Sequence, residues 1–491
     1  MPPNRAAGAL SLTAPEGPRR TAARSRDPRL NPVTDPRAPE RIVRRFARAS
    51  NLMLAGRPFA VRGAEASGLH DLLARLGGIP SPEPTPGRVE FDLDADTVHL
   101  DGAPLPERGD AAGRISFARA HMPVSSAMAE RLDLTGLRVG VAMVLEPKTA
   151  VLSLLLRERG AEVSVYAHPD ETDPAVADAL RAQGFAVTAD PALSGAEELA
   201  AARAFLRAGL DVLLDDGAHL IRLAHDDDPS LVAGWIGACE ETTSGLTPLR
   251  RMRDAGILRT AVMAVNDART KTMFDNRYGT GQSCVFAIAD LLEERGIALT
   301  DQPALVLGYG PVGRGVAAHL RALSVEVRVA ETDPVRALEA RHDGFPTGPA
   351  HELAAGALVV SATGVPGTVT ADLSAVARVV AVAGGVPGEV AADGDDAGAE
   401  VLGGGGAVNI TAAEGNPIEI MDLSFAVQLA ALGELLRRRP APGVHALGPE
   451  ADDLVAREAL RVRGAEIDPP RALDPEGLDD WRSPRYAGGA R

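Results

Sequence analysis

The segment "NDARTKTMFDN", residues 266–276, contains Lys271, one of only two lysines in the chain; the other is Lys148. Lysine and arginine together number 51, so every other basic position is an arginine. An ammonium is a compact charge whose proton can leave, whereas a guanidinium is effectively never deprotonated. A lysine kept one helical turn before Asp275 therefore reads as a place where a proton moves. Two more polar stretches precede it among apolar strands: "DVLLDDGAHL" with Asp216, and "ACEETTSGLTPLRRM" with Glu241. Carboxylates at strand ends facing a cofactor are the usual material of proton transfer. Each has a plainer reading. Glu240 and Glu241 would serve as an acidic pair at a helix N-terminus, and Lys271 with Asp275 as an exposed i,i+4 ion pair worth roughly 0.2–0.5 kcal/mol.

The cofactor signal lies downstream. "LVLGYGPVGRG" sets Gly308, Gly310 and Gly313 in GxGxxG spacing after an apolar run and before an amphipathic one. Glycines there let a pyrophosphate approach the backbone at a helix N-terminus. The next strand, "EVRVAE", ends on Glu331, placed to bind the ribose hydroxyls of NAD; an acid at that point disfavours the 2′-phosphate of NADP. The plainer reading is a glycine-tight turn with no ligand.

These groups need elements to hold them. Residues 1–40 are rich in Pro, Arg and Ala without an apolar period, which fits a disordered arm. Residues 41–112 form a small region with helical patterning in "RIVRRFARASNLML" and "GLHDLLARLGG" and a hairpin in "RVEFDLDADTVHLDG". From 113 strands and helices alternate: "LRVGVAMVL", the helix "KTAVLSLLLRERG" stopped by Gly160, "AEVSVYA", "FAVTA" and "DVLLDDG". A second series begins near 303 and runs through "ALVVSATG" and "RVVAVAGG", with "AADGDDAGAEVLGGGGAV" as loops around one short strand. The fold class is α/β with parallel sheets. A helix, "DLVAREALRVRG", and a proline-rich tail finish the chain.

The chain has 491 residues and a net charge of −16, which argues against a general nucleic-acid or anionic-membrane binder. Cys239 and Cys284 show no metal-ligand spacing. No metal is expected, and no apolar run approaches the ~20 residues that span a bilayer. A cytoplasmic location is the expectation.

"EETTSG", "NDARTKTMFDNRYG", "GYGPVGRG" and "ETDP", in that order, make the sequence resemble the S-adenosylhomocysteine hydrolase family from about Ile115 to about residue 437. The resemblance implies two Rossmann-like domains: a split substrate domain, residues 113–265 and 418–450, around an inserted NAD-binding domain, residues 266–417, with 451–491 as a tail. It implies a homo-oligomer, dimer or tetramer, and a nucleoside substrate. The implied reaction oxidises the 3′-hydroxyl, removes the C4′ proton and eliminates the 5′ substituent. Asp216, Glu241, Lys271 and Asp275 match the ribose-binding and proton-transfer group. Thr242, Thr243, Ser244, Asn276, Gly308, Gly310, Val312, Gly313, Gly315, Glu331 and Asn409 match the NAD shell. Beside a reacting hydroxyl, a lysine whose pKa can be depressed is useful.

Departures from the family pattern cluster. The family's "CLHMT" is "AMVLE", with Val144 for the histidine and Glu146 for the threonine. "GHFDVE" is "GGVPGE", with Gly385 for a histidine, and "GHPSF" is "GNPIE", with Asn416 for another. "YGCRES" is "YGTGQS", with Thr280 for the cysteine, and His219 stands where the family has an acid. The oxidising and C4′ groups are kept while the 5′ end is rebuilt, with Glu146, Lys148 and His219 as candidate substitutes. This points to a substrate other than S-adenosylhomocysteine. The alternatives are an ordinary hydrolase with relocated acid–base groups, and a catalytically silent NAD-binding regulator.

Overall fold

The computed structural model describes residues 39–63, 66–105, 109–386, 388–391 and 398–469. The expected arm and the end of the tail lie outside them. The apolar runs become the strands of three sheets. Their interiors are nearly continuous Val, Leu and Ala, as expected for strands covered on both faces.

The largest sheet has β6 (Arg138–Ala142), β7 (Glu162–Tyr166), β8 (Ala186–Thr188), β9 (Val212–Asp215), β10 (Gly237–Glu240), β11 (Ala261–Ala264) and β17 (Gly443–Ala446). Their order is β17-β11-β10-β9-β6-β7-β8, and all pairs are parallel. The order of winding reverses between β6 and β9, so the loops that follow them leave to opposite sides at the C-terminal strand ends. Open α/β sheets bind ligands at such switch points.

A second parallel sheet runs β13-β12-β14-β15-β16, from β12 (Ala304–Leu307), β13 (Val327–Ala330), β14 (Leu358–Ser361), β15 (Val379–Val382) and β16 (Glu400–Val401). Its reversal lies between β12 and β14. The fold is thus α/β with two Rossmann-like sheets, and the chain returns from the second to the edge of the first, where β17 pairs with β11.

The region 41–112 holds more than the expected helices and hairpin. β1 (Pro58–Arg62), β2 (Ile79–Pro80), β3 (Val89–Asp92), β4 (Thr97–Leu100) and β5 (Ala103–Pro104) make a mixed sheet in the order β2-β1-β3-β4-β5. The hairpin β3–β4 is antiparallel as expected. The first helix, Pro39–Ser50, stops four residues short of the apolar pattern because Asn51 turns left-handed at φ 51°. Leu52 and Leu54 are buried instead in extended chain. Gln282 donates to the Leu52 carbonyl and accepts from the Leu54 amide, each at 3.0 Å. The Met53 amide donates to Glu419 at 2.9 Å and the Ile418 amide to the Asn51 carbonyl at 2.8 Å. Arg44 pairs with Asp290 and Glu293. The helix Pro39–Ser50 and the extended residues 51–54 that lead into this sheet are therefore fastened to the helices Thr280–Glu294 and Ile418–Arg438, both of which lead from the candidate site. Among the described residues no helix is long and apolar enough to cross a membrane.

Candidate active site

The C-terminal ends of β9, β10 and β11 carry the polar stretches singled out in the sequence. At the end of β10 two adjacent glutamates do different work. Glu240 is fully buried and accepts from the amides of Gly217, Ala218 and Thr242, each at 2.9 Å, and from the Thr242 hydroxyl at 2.7 Å. It ties the β9 loop, and hence Asp216, to the β10 loop. A Cβ at Gly245 would stand 2.2 Å from its carboxylate, so only glycine admits this latch. Glu241 is 4 % exposed, and neither carboxylate oxygen makes a hydrogen bond of good geometry, because the nearby Ser424 hydroxyl, which acts on it, is directed to Asp275. Burial pushes its carboxyl well up, with Lys271 opposing and Asp275 and Asp216 adding to the rise.

Lys271 lies on a short helix, Arg269–Thr272, after β11, and Asp275 opens a π-helical turn, Asp275–Gly279. Such turns are rare and gather at functional sites. The ammonium donates to Asn276 at 2.9 Å and to Asn266 at 3.3 Å, and pairs with Asp275 at 3.1 Å. Its three donors are thus occupied. Both partners of the ion pair are buried, at 4 % and 7 % side-chain exposure, so the exposed-surface reading fails. The expectation of a lowered lysine pKa is also corrected. Burial works to lower it, but Asp275, Glu241 and Asp216 outweigh burial and raise it. Lys271 therefore holds its proton firmly in this arrangement. The Asp216 carboxyl is raised by burial, against the pull of Lys271 and His219.

Position 416 is a pin. The Asn416 amide donates to Asp275 and, at 3.2 Å, to Thr280; its oxygen accepts from Ser283 at 2.8 Å and Asn409 at 3.1 Å. Ser424 donates to the other Asp275 oxygen at 2.8 Å. An imidazole here could take up and release a proton; this amide donates hydrogen bonds but cannot act as an acid or base. Gly385 sits at φ 78°, a conformation that a side-chain-bearing residue rarely adopts. Val144 supplies no titratable group, but Glu146 and Lys148 form a buried ion pair at 2.8 Å, with Lys148 also donating to the Glu414 carbonyl at 2.8 Å.

Asn266 and Ser424 were not singled out by sequence reasoning, and Asn416 was singled out only as the replacement of a family histidine, not as the partner of Asp275. Asn266 links Lys271 to Asn276 (3.1 Å) and donates to Thr243 at 2.8 Å. It opens the same motif as Lys271, which was the available signal. Thr242 caps its helix through Gly245, and Ser244 donates to it at 3.1 Å.

The second sheet offers a dinucleotide cradle. Gly308 has φ 89°, and a Cβ at Gly313 would stand 2.0 Å from the Gly308 carbonyl oxygen. A Cβ at Gly310 would meet only Arg336, at 3.6 Å, so the amide face of the turn is open to a phosphate. Glu331 follows β13 and accepts from the amides of Tyr309 (2.6 Å), Thr332 (2.7 Å) and Asp333 (2.9 Å). Burial works to raise its carboxyl, but these amides and Arg336 win and lower it. The held carboxylate keeps a lone pair on the oxygen facing Tyr309 for a ribose hydroxyl, so the residues fit NAD. A Cβ at Gly315 would lie 1.8 Å from the Arg277 carbonyl oxygen. The cradle helix, Pro311–Ala322, therefore docks directly on the turn bearing Asp275 and Asn276. Val312 is half-buried against the core beneath it.

An acid- and lysine-lined crevice on one Rossmann-like sheet, abutting a dinucleotide cradle on another, defines an NAD-dependent enzyme acting on a small polar substrate. Comparison with known proteins makes this specific. The family described as S-adenosyl-L-homocysteine hydrolase matches residues 224–469. The adenosylhomocysteinase of Archaeoglobus fulgidus is 36% identical over 400 residues, 75% of this chain and 98% of that protein. The S-inosyl-L-homocysteine hydrolase of Methanothermobacter thermautotrophicus is 34% identical over 400 residues, 75% of this chain and 95% of that protein. The adenosylhomocysteinase of Thermotoga maritima is 34% identical over 402 residues, covering 75% and 98%. The chain belongs to the S-adenosyl-L-homocysteine hydrolase family, which is NAD-dependent.

Proposed function

We propose that the protein oxidises the 3′-hydroxyl of a 5′-substituted purine nucleoside, removes its C4′ proton and expels the 5′ substituent, on a substrate other than S-adenosylhomocysteine. The observation that carries this reading is Glu241, a buried carboxyl beside Lys271 whose oxygens make no hydrogen bond of good geometry, the adjacent Ser424 hydroxyl being directed to Asp275. An uncompensated polar group of this kind costs about 1–3 kcal/mol, a cost that a bound ribose diol would offset. In this reading residues 113–265 and 418–450 hold the substrate and 266–417 hold NAD.

Glu241 bonds the ribose hydroxyls. Lys271 faces the 3′ oxygen, whose proton passes into the Lys271–Glu241 group. NAD, when held by these residues, would supply a reversible hydride acceptor for the C3′ hydrogen. The ketone acidifies C4′–H, and Asp216 takes that proton. Asp275, held by Asn416 and Ser424, keeps Lys271 in place. Gly310, Gly313, Gly315, Glu331 and the Thr242–Ser244 and Asn409 loops form the cofactor's surroundings.

A second reading is favoured by the named relatives: hydrolysis of S-adenosyl- or S-inosylhomocysteine itself, with relocated acid–base groups. Incubation with both compounds, and with adenosine and inosine bearing other 5′-thio and 5′-oxy groups, separates the two. Faster product release from another substituent supports the proposal. Efficient homocysteine release from either named compound supports the second reading. A protein that binds NAD yet oxidises none of them would be a silent regulator.

A further inference from the structure

The crevice between β6 and β9 holds groups that the steps above leave unused. His219 opens the helix His219–Asp227 directly after the β9 loop. Its ring lies 6.0 Å from the ring of Tyr166, the last residue of β7. Since β6 lies between β9 and β7, the imidazole reaches over the C-terminal end of β6. Val144, in the loop leaving that same strand end, supplies no proton-carrying group. The His219 Nδ1 is 3.8 Å from an oxygen of Asp215, which is itself fully buried and held by the amides of Asp216 and Ile221. Nε2 is buried with no hydrogen-bond partner. At 3.8 Å the Asp215 carboxylate is an electrostatic partner of Nδ1, able to compensate an imidazolium, the form in which Nε2 carries a proton.

Carboxylates surround the ring. Asp215 lies on one side, and Asp216 and Glu171 interact with the imidazole electrostatically. Burial and Asp216 push the Glu171 carboxyl up to about 7, against His219. The Glu171 carbonyl accepts from the Leu145 amide at 2.8 Å, so this segment is stitched to the β6 loop.

We infer that the Nε2 of His219 delivers a proton to the 5′ leaving atom, over the strand end where Val144 supplies none. The inference rests on the oxidation and C4′ deprotonation proposed above. As the C4′–H bond pair forms the C4′=C5′ bond, the C5′–leaving-atom bond breaks; the leaving atom keeps its pair and takes the Nε2 proton. In the reverse sense neutral Nε2 takes a proton from water as its oxygen bonds to C5′, and C4′ regains a proton.

The test uses the NAD-bound full chain with 5′-homocysteinyl, 5′-alkylthio and 5′-(4-nitrophenylthio) derivatives of adenosine and inosine. In His219→Asn, cofactor reduction and C4′–H exchange in deuterated water should stay within about threefold of the parent, while alkyl thiol release falls by about 10² or more. Nitrothiophenolate, which leaves without protonation, should be released within about fivefold of the parent rate. With cofactor reduction and C4′–H exchange retained, equal losses for both leaving groups, or none for either, would overturn the inference. If the variant loses every step, Val144→His is added to it: recovered alkyl thiol release supports the inference, and no recovery overturns it. A parent protein that reduces no cofactor with any of these compounds fails at the earlier proposal instead.

Discussion

Replacing Lys271 by arginine keeps the charge and removes the exchangeable proton. The site has little spare room: the ammonium is bonded at 2.9, 3.1 and 3.3 Å to Asn276, Asp275 and Asn266. A guanidinium must displace one of these, an overpacking cost of about 1–3 kcal/mol. The charge still compensates Asp275, so the larger penalty of about 3–5 kcal/mol for an unpaired buried charge is avoided in Lys271→Arg and incurred in Lys271→Met. Turnover should fall by about 10² to 10⁴, or about 2.7–5.4 kcal/mol of activation free energy. The assays are denaturant unfolding, cofactor content after gel filtration, and single-turnover cofactor reduction. The expected result is a folded, NAD-containing Lys271→Arg that reduces its cofactor at least about a hundredfold more slowly. Reduction within about threefold of the parent rate would refute proton transfer at this position.

Glu331 should make NAD bind at least about tenfold more tightly than NADP, through repulsion of the 2′-phosphate; Glu331→Ser should narrow that gap, as read by fluorescence titration. Gln282→Ala strands the Leu54 amide and the Leu52 carbonyl and should cost about 1–3 kcal/mol in urea unfolding. Asp422, which accepts from the Val124 and Ser125 amides at 3.0 and 2.6 Å, has its carboxyl raised by burial to about 6. A raised carboxyl binds its proton more tightly when folded, so its stabilising contribution is present below about pH 4 and is lost as pH rises through about 6. Asp422→Asn removes this dependence. Relative to the parent, that variant should therefore gain about 2 kcal/mol between pH 4 and pH 7, read from urea unfolding at both ends.

The two parallel sheets were legible because their strands are unbroken apolar runs separated by helices with clear stops such as Gly160. β17 was not, since "GVHA" is a short edge strand with one large apolar residue. β1 and β2 escaped for a related reason: "PFAVR" carries a proline and two polar-facing positions, and β2 is only two residues long. Asp216, Glu241, Lys271 and Asp275 stood out in the sequence as polar groups in apolar surroundings. Their supports did not, because Asn416 reaches Asp275 across 141 residues and Ser424 across 149, separations that no local pattern encodes. The protonation of Lys271 also resisted sequence reasoning. Its direction depends on how many carboxylates share one buried volume, and that number comes from the strand order.

The central claim is that this site makes a ketone at C3′ and takes the proton from C4′. Proton NMR of adenosine and inosine, held with the NAD-bound protein in deuterated water, reads C4′ exchange directly. Loss of the C4′ signal with the parent protein, together with its retention with Asp216→Asn, is the expected result. A C4′ signal that persists for both nucleosides, with no reduced nicotinamide on the protein, would contradict it.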